Sequence, residues 1–430
     1  MSARVRIVAS ALIFALAPIG APAATADTTG TLAHGGAYVL APDSTVAAGS
    51  VALWFRAPSD GYDGSTPGIG RLAATAAAAS TLESGKSLVN LVRSLGGELT
   101  INVYPDIIGV TAVAPESATR RIVAAMSAAY FSPTIDEDAL KVAQRDAAVL
   151  SVERKYSSDD ILHDALFAQL FSSGPAHVAP LPDSVKNLAD VDLKTVAAYV
   201  QRAFRSANAT LTLAGNVDPG SVGAVTAGAA GTPDAPIDSR LAQGPMASST
   251  ISGAVSGVGI AWAGPPIQDE RASTALDFIS DYLFRDGSGQ VAKTVNSGDT
   301  YVSGQFITLH DPGVMLVTIG GSKADAAQAS VLDAVRQLET PLDAARFAEA
   351  REAFLYRLAA DAQTPSEQTD NLGWYASEGN LGYAPSDLQG DYWKIAQSLD
   401  PGYVASIVKR YLDHPVIVHL TAAASKEPNS

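Results

Sequence analysis

The chain has 430 residues, 47% of them hydrophobic, no cysteine and a formal net charge of −15. The length and apolar share allow two or three domains with full cores. The missing cysteine excludes disulfides and thiol nucleophiles, and the acidic excess argues against a nucleic-acid backbone or an anionic membrane surface as partner.

In chain order, residues 1–26 read as a secretory signal. Arg4 and Arg6 form a basic start, Ile7 to Pro18 is apolar, and Ala21-Pro22-Ala23 and Ala24-Thr25-Ala26 both fit the A-x-A cleavage pattern. Cleavage after Ala26 is expected, which removes two arginines and no acids and takes the net charge from −15 to −17. The expected location is therefore periplasmic or secreted. No later apolar run is long enough to span a bilayer, so no stable membrane insertion is expected.

Two strands follow, at 36–40 and 46–56, and then a helix beginning after Pro67. A second helix, 87–95, stops at Gly96-Gly97, a good C-cap. Strand patterns at 99–104 and 107–113 precede helices at 117–130, 136–153 and 159–171. A helix at 192–204, opened by Asp192, then runs into a strand at 209–217.

The second part of the chain repeats this order. Trp54, Pro58, Val196 and Val200 recur as Trp262, Pro266, Val404 and Val408, each 208 residues on. Helix 400–412 runs into strand 416–421 as 192–204 runs into 209–217. A common spacing at both ends of a unit indicates a duplication. Residues 218–249 are rich in Gly, Ala, Pro, Ser and Asp without periodicity and read as a linker. The expected organisation is thus two halves, 31–217 and 250–424, around a linker at 218–249. Each half is α/β (α+β), with a mixed or antiparallel sheet and helices packed on one face.

Several short runs, in order, resemble the pitrilysin/insulinase-type metallopeptidases, and among them the subunits similar to mitochondrial processing peptidase. They are Gly68 to Thr75, Leu95-Gly96-Gly97-Glu98-Leu99, Phe131-Ser132-Pro133 followed by Asp136 to Leu140, Asn208 to Asp218, and His310-Asp311-Pro312-Gly313. Active members of that family carry H-x-x-E-H on the first helix. There two histidines one turn apart hold Zn²⁺ and the glutamate acts as base, with a further carboxylate on a later helix. The resemblance places Arg71 and Thr75 at the two histidine positions, Ala74 at the base and Ser151 at the last carboxylate. A guanidinium stays charged and repels a cation, so neither catalytic zinc nor another cofactor is expected in this chain. The family's substrate-gripping tyrosine falls on Tyr301, while its arginine falls on Thr294, or on Asn296 with a two-residue gap. Tyr301 is either a peptide contact or, more in keeping with its strand, an aromatic packed on the sheet.

Other chemistry is thin. Asp160, His163 and Asp164 share a helix face, but Ser157 or Ser158 looks like an N-cap and acids in a first turn favour the dipole. Ser84-Gly85-Lys86-Ser87 lacks the leading glycine of a phosphate loop, Ser80 standing there instead. No convergent set of nucleophile, base and orienting group is visible. The resemblance implies a non-catalytic subunit paired with an exported sister chain that carries the zinc. The alternative is a stand-alone peptide-binding or chaperone-like homodimer. Extended peptides are the ligand class in either case, and nucleic acid is not.

Overall fold

The computed structural model describes residues 28–177, 188–226, 228, 231–243, 248–379, 383–387 and 390–423. The expected signal segment, 1–26, lies outside them.

The first half builds a sheet from β1 (Thr28–Thr31), β2 (Ala37–Pro42), β3 (Ala48–Arg56), β4 (Glu98–Val103), β5 (Ile107–Pro115) and β7 (Ala209–Gly215). Its order is β1-β2-β7-β3-β5-β4. A short β6 (Phe171–Ser173) pairs only with β8 (Arg240–Leu241). The second half uses β9 (Ser248–Gly253), β10 (Gly257–Ala263), β11 (Tyr301–Ile307), β12 (Val314–Gly320) and β13 (Val416–Ala422), in the order β11-β12-β10-β13-β9. Without β1 the two paths coincide. β2 lies parallel to β7 as β9 does to β13, and the remaining pairs are antiparallel.

The first half's helices are α1 (Ile69–Ala79), α2 (Leu88–Ser94), α3 (Thr119–Phe131), α4 (Glu137–Arg154), α5 (Ser158–Leu170) and α6 (Leu193–Ala203). The second half's are α7 (Glu270–Phe284), α8 (Ala292–Val295), α9 (Ala324–Gln337), α10 (Ala344–Asp361), α11 (Pro365–Ser377), α12 (Asp391–Ser398) and α13 (Pro401–Tyr411). Asp192 and Asp400 cap α6 and α13 through the backbone N–H three residues on, at 2.8 and 2.9 Å. The helix spacing of 208 is thus reproduced in the caps.

The strands keep a different spacing. Ala57 N–H donates to Asp106 O at 2.9 Å, and Gly264 N–H donates to Gly313 O at 2.7 Å. These matched bonds after β3 and β10 lie 207 residues apart, from 57 to 264 and from 106 to 313. Side chains alternate along a strand, so one residue of offset changes the face. Val51, Leu53 and Phe55 face the first half's own helices, and Trp54 faces away from them. Val258, Ile260 and Trp262 face the second half's own helices. The two tryptophans therefore occupy opposite faces, and Trp262 matches Phe55 in position. The duplication holds in topology, but the tryptophan pair is not its equivalent point.

Each half's own helices cover one face of its sheet, and the other face receives a helix from the opposite half. α5 packs on β10, β12 and β13, while α11 packs on β3, β5 and β7. Leu162, Leu166 and Phe167 are fully buried against Ala261, Leu316 and Val418. Such leucines contribute roughly 2 kcal/mol each. On α11, Thr369 accepts or donates to Ser50 Oγ at 2.7 Å, and its carbonyl accepts from Thr212 Oγ1 at 3.1 Å. The N-caps of the exchanged helices, Ser157 and Thr364, are again 207 apart. Thr364 forms a reciprocal capping box with Glu367. Thr364→Ala should lower stability by about 1 kcal/mol, measured by urea denaturation.

Within 218–249, Asp234 ties the chain down. It accepts from Arg205 Nη2 (2.5 Å) and Asn208 Nδ2 (2.8 Å), and its carbonyl accepts from Arg56 Nη1 (2.8 Å). Asp238 pairs with His310 Nδ1 at 2.8 Å. Among the described residues no helix is long and apolar enough to cross a membrane.

Candidate functional site

α1 begins where Gly68 takes a left-handed conformation (φ 77°), with its N–H bound to Asp60 Oδ1 at 2.7 Å. Leu72, Ala73, Ala76 and Ala77 sink into the core, and Arg71 and Thr75, one turn apart, remain half-buried on the opposite face. Ala74 is fully buried, and its carbonyl accepts from Tyr130 Oη at 3.1 Å. α1 packs along α4, which carries Ser151 as a buried residue. The Arg71 guanidinium lies close enough to Asp146 and Arg154, which bracket Ser151 on α4, to feel both charges. Burial first, and then Arg154, lower its pKa, while Asp146 opposes them. Arg154 is itself held by Asp160 (3.0 Å) and Asp164 (3.1 Å) of α5. The helix face that would present imidazoles therefore carries one guanidinium and faces a second. Both guanidiniums already stand among the carboxylates of Asp146, Asp160 and Asp164.

Asp160, His163 and Asp164 behave as structural groups. Ser157 caps α5 by accepting from Asp160 N–H at 3.2 Å, both acids pair with Arg154, and His163 stacks on Phe167 at 4.3 Å. Ser84 to Ser87 form a tight turn with Gly85 at φ 76°, closed by a bridge between Thr81 and Ser87, and Ser87 caps α2. Among the described residues no three His, Asp or Glu side chains converge on one point.

Tyr301 opens β11, the strand that ends its sheet, and is 38% exposed. Its hydroxyl hydrogen-bonds Ser158 Oγ at 3.0 Å, and its ring covers Gly320. Neither arginine-position candidate is free to grip a peptide. Thr294 Oγ1 donates to Val291 O at 2.9 Å, and Asn296 Oδ1 accepts from Val302 N–H at 2.9 Å while its amide donates to Asp286.

Two features between the halves escape the sequence patterns. The first is a pair of carboxyl groups. Asp106, in the β4–β5 turn, lies beside Glu378, the C-cap of α11, and Arg56. Arg56 donates to Ser377 O at 2.6 and 3.0 Å. Burial, and then the Asp106 charge, push Glu378 well above the usual carboxyl range, and burial raises Asp106 too. The second is a cavity of about 570 Å³ lined by Trp54 and Tyr104 of the first half and Asp277, Phe306, Asp370 and Trp374 of the second. No short motif announces either one, because their members lie more than 150 residues apart.

Residues 190–354 match the family model described as the Peptidase M16 inactive domain. The span runs from α6 to α10 and does not include Arg71, Ala74, Thr75 or Ser151. Solved structures share the fold across nearly the whole chain. A protease from Helicobacter pylori superposes with a TM-score of 0.78 at 17% identity, covering 93% of this chain and 100% of that one. A peptidase M16 inactive domain from Pseudomonas fluorescens gives 0.77 at 17%, covering 94% and 100%. A chain of complex III from Candida albicans, with Inz-5 bound, gives 0.74 at 15%, covering 92% and 95%. Comparison with functionally curated proteins returns no match. The family-model match over residues 190–354 and a fold shared with M16-type peptidase structures across nearly the whole chain support a degenerate relative of the pitrilysin-type (M16) peptidases.

Proposed function

We propose that the chain is an exported, non-catalytic partner of a zinc-bearing sister subunit. The observation that carries this reading is the α1–α4 face, where Arg71 and Thr75 stand at the ligand positions, Ala74 at the base and Ser151 at the last carboxylate, with Arg154 alongside. Two neighbouring guanidiniums disfavour a divalent ion by charge, and no base is present to activate water. A neighbouring fold serves inside a multi-subunit assembly, complex III, which supports a structural role for such chains. β4 ends the first sheet next to α1, so an extended peptide held by the sister could lie along it. The basic start, apolar run and A-x-A sites of residues 1–26 support export.

Two measurements test the reading. Elemental analysis of the purified chain should find no stoichiometric zinc. Co-expression with an exported sister bearing intact H-x-x-E-H should give a co-purifying complex with altered peptidase activity. A sister whose oligomeric state and activity are unchanged by this chain sinks the pairing. In that case the stand-alone peptide binder is left.

A further inference from the structure

The cavity between the halves has an unusual lining. Its volume, about 570 Å³, lies in the range of small-molecule sites, about 300–1,000 Å³. One wall is aromatic. Tyr104 stands perpendicular to Trp374 with centroids 4.3 Å apart (87°), and both lie beside Trp54. Trp374 is fixed by an Nε1 hydrogen bond to Thr308 O at 3.1 Å. The charged part of the lining is mainly acidic, with Asp277, Asp281, Asp361 and Asp370 against Arg285 and His163, and the remainder is apolar or neutral.

The charges there are unequally matched. Arg285 donates to both oxygens of Asp361 (2.8 and 2.7 Å) and contacts Asp281 at 3.3 Å, and Arg357 also pairs with Asp281. Asp370 accepts from Thr111 Oγ1 at 2.9 Å. Asp277 is different. Its side chain is half-buried and lines the cavity, and its carboxyl accepts a hydrogen bond from Tyr392 Oη at 2.8 Å. Among the described residues it makes no ion pair, whereas Asp281, one turn along α7, is paired with Arg285 and Arg357. The groups that act on it are Tyr392 and the like charge of Asp281. Burial raises its pKa to about 7. A buried carboxylate without a counter-ion is costly, and a cation entering the cavity would relieve that cost. The same cation would meet the electron-rich faces of Tyr104 and Trp374.

We propose that this cavity is a binding site for an organic cation of the guanidinium or alkylammonium kind, with Asp277 as its counter-ion and Tyr104 and Trp374 as its aromatic wall. The same chemistry arises in a free small amine and in the side chain of a basic residue in a peptide. The site belongs to this chain alone and does not depend on pairing with a sister subunit.

The test uses the full mature chain, with calorimetry and tryptophan fluorescence as readouts. Nα-acetyl-L-argininamide is the free cation, a terminally blocked alanine peptide with one central arginine is the side-chain form, and the citrulline versions, blocked at the α-amine in the same way, are neutral isosteres. The acetylated argininamide should bind with a Kd below about 1 mM, with its citrulline form at least about tenfold weaker, a difference of about 1.4 kcal/mol. Asp277→Asn should erase that preference, and Tyr104→Leu should weaken the cation by about fivefold or more. Near-UV circular dichroism confirms that each variant is folded. If Asp277→Asn fails to fold, Asp277→Glu, which keeps the charge but displaces it, replaces it and should reduce the preference. Equal binding of the blocked peptide and the acetylated argininamide assigns the site to basic side chains, and exclusion of the peptide assigns it to small amines. Equal affinity for arginine and citrulline forms, or a preference that survives Asp277→Asn, overturns the proposal.

Discussion

Replacing Glu378 by Gln is expected to make the protein more stable at pH 8 and to leave it nearly unchanged at pH 5. Glu378 is 2% exposed and lies against Asp106 across the two halves. Burial first, and the neighbouring carboxylate second, raise its pKa in the folded state, with Arg56 opposing them. The folded protein therefore keeps a proton that the unfolded chain releases above pH 4.5, the ordinary value for this group. Stability then falls as pH rises, because the native state binds more protons than the unfolded one. The contribution is whole below the unfolded pKa and is lost as pH climbs through the folded one. Gln keeps a donor for Asp106 and cannot ionise, so the variant should lack most of that slope. The gain at pH 8 should be on the order of 1–3 kcal/mol, the scale of a badly matched buried polar group. Urea denaturation at pH 5, 6.5 and 8 decides it. Parallel curves for the two proteins would show that the carboxyl pair does not link protonation to folding.

Gly373→Ala is expected to lose about 3 kcal/mol or more, a large effect for one methyl group. The added Cβ would lie 2.1 Å from Trp54 Nε1 and 2.2 Å from Cδ1. Trp54 is fully buried beneath α11, with Gly109 of β5 against its ring, and borders the cavity between the halves. Relief requires its ring to shift toward that cavity or α11 to lift from the first sheet, and lifting also strains the Thr369 contacts to Ser50 and Thr212. The loss should appear as a lower denaturation midpoint together with a changed near-UV signal from Trp54. The same substitution at Gly379, where nothing lies within 4 Å of the added Cβ although φ is +98°, separates close packing from backbone strain.

The helix caps, the alternation in β3 and β10 and the glycine turns were legible because each depends on residues a few positions apart. Asp192 and Asp400 cap their helices as read, Gly96-Gly97 ends α2, and the runs at 46–56 and 107–113 became β3 and β5. The degenerate face was legible as well, since Arg71 and Thr75 share a face by helical spacing alone. The tryptophan repeat misled by one residue because matching letters carry no information about which face a strand presents. Only hydrogen-bond register fixes that, and it set the strand spacing at 207 against 208 between α6 and α13.

What the sequence by itself determined is therefore local and periodic: elements, caps and duplication. The tertiary structure decided which sheet α5 and α11 cover, and so which side chains meet between the halves. Each sheet has two apolar faces and only one is covered by its own helices, so the exposed faces are buried by exchange. That exchange brings Asp106 to Glu378 and Tyr104 to Trp374 and Asp277. Contacts across more than 150 residues leave no periodic trace in the chain, because burial constrains each partner only to be apolar or paired, and not to stand at any spacing.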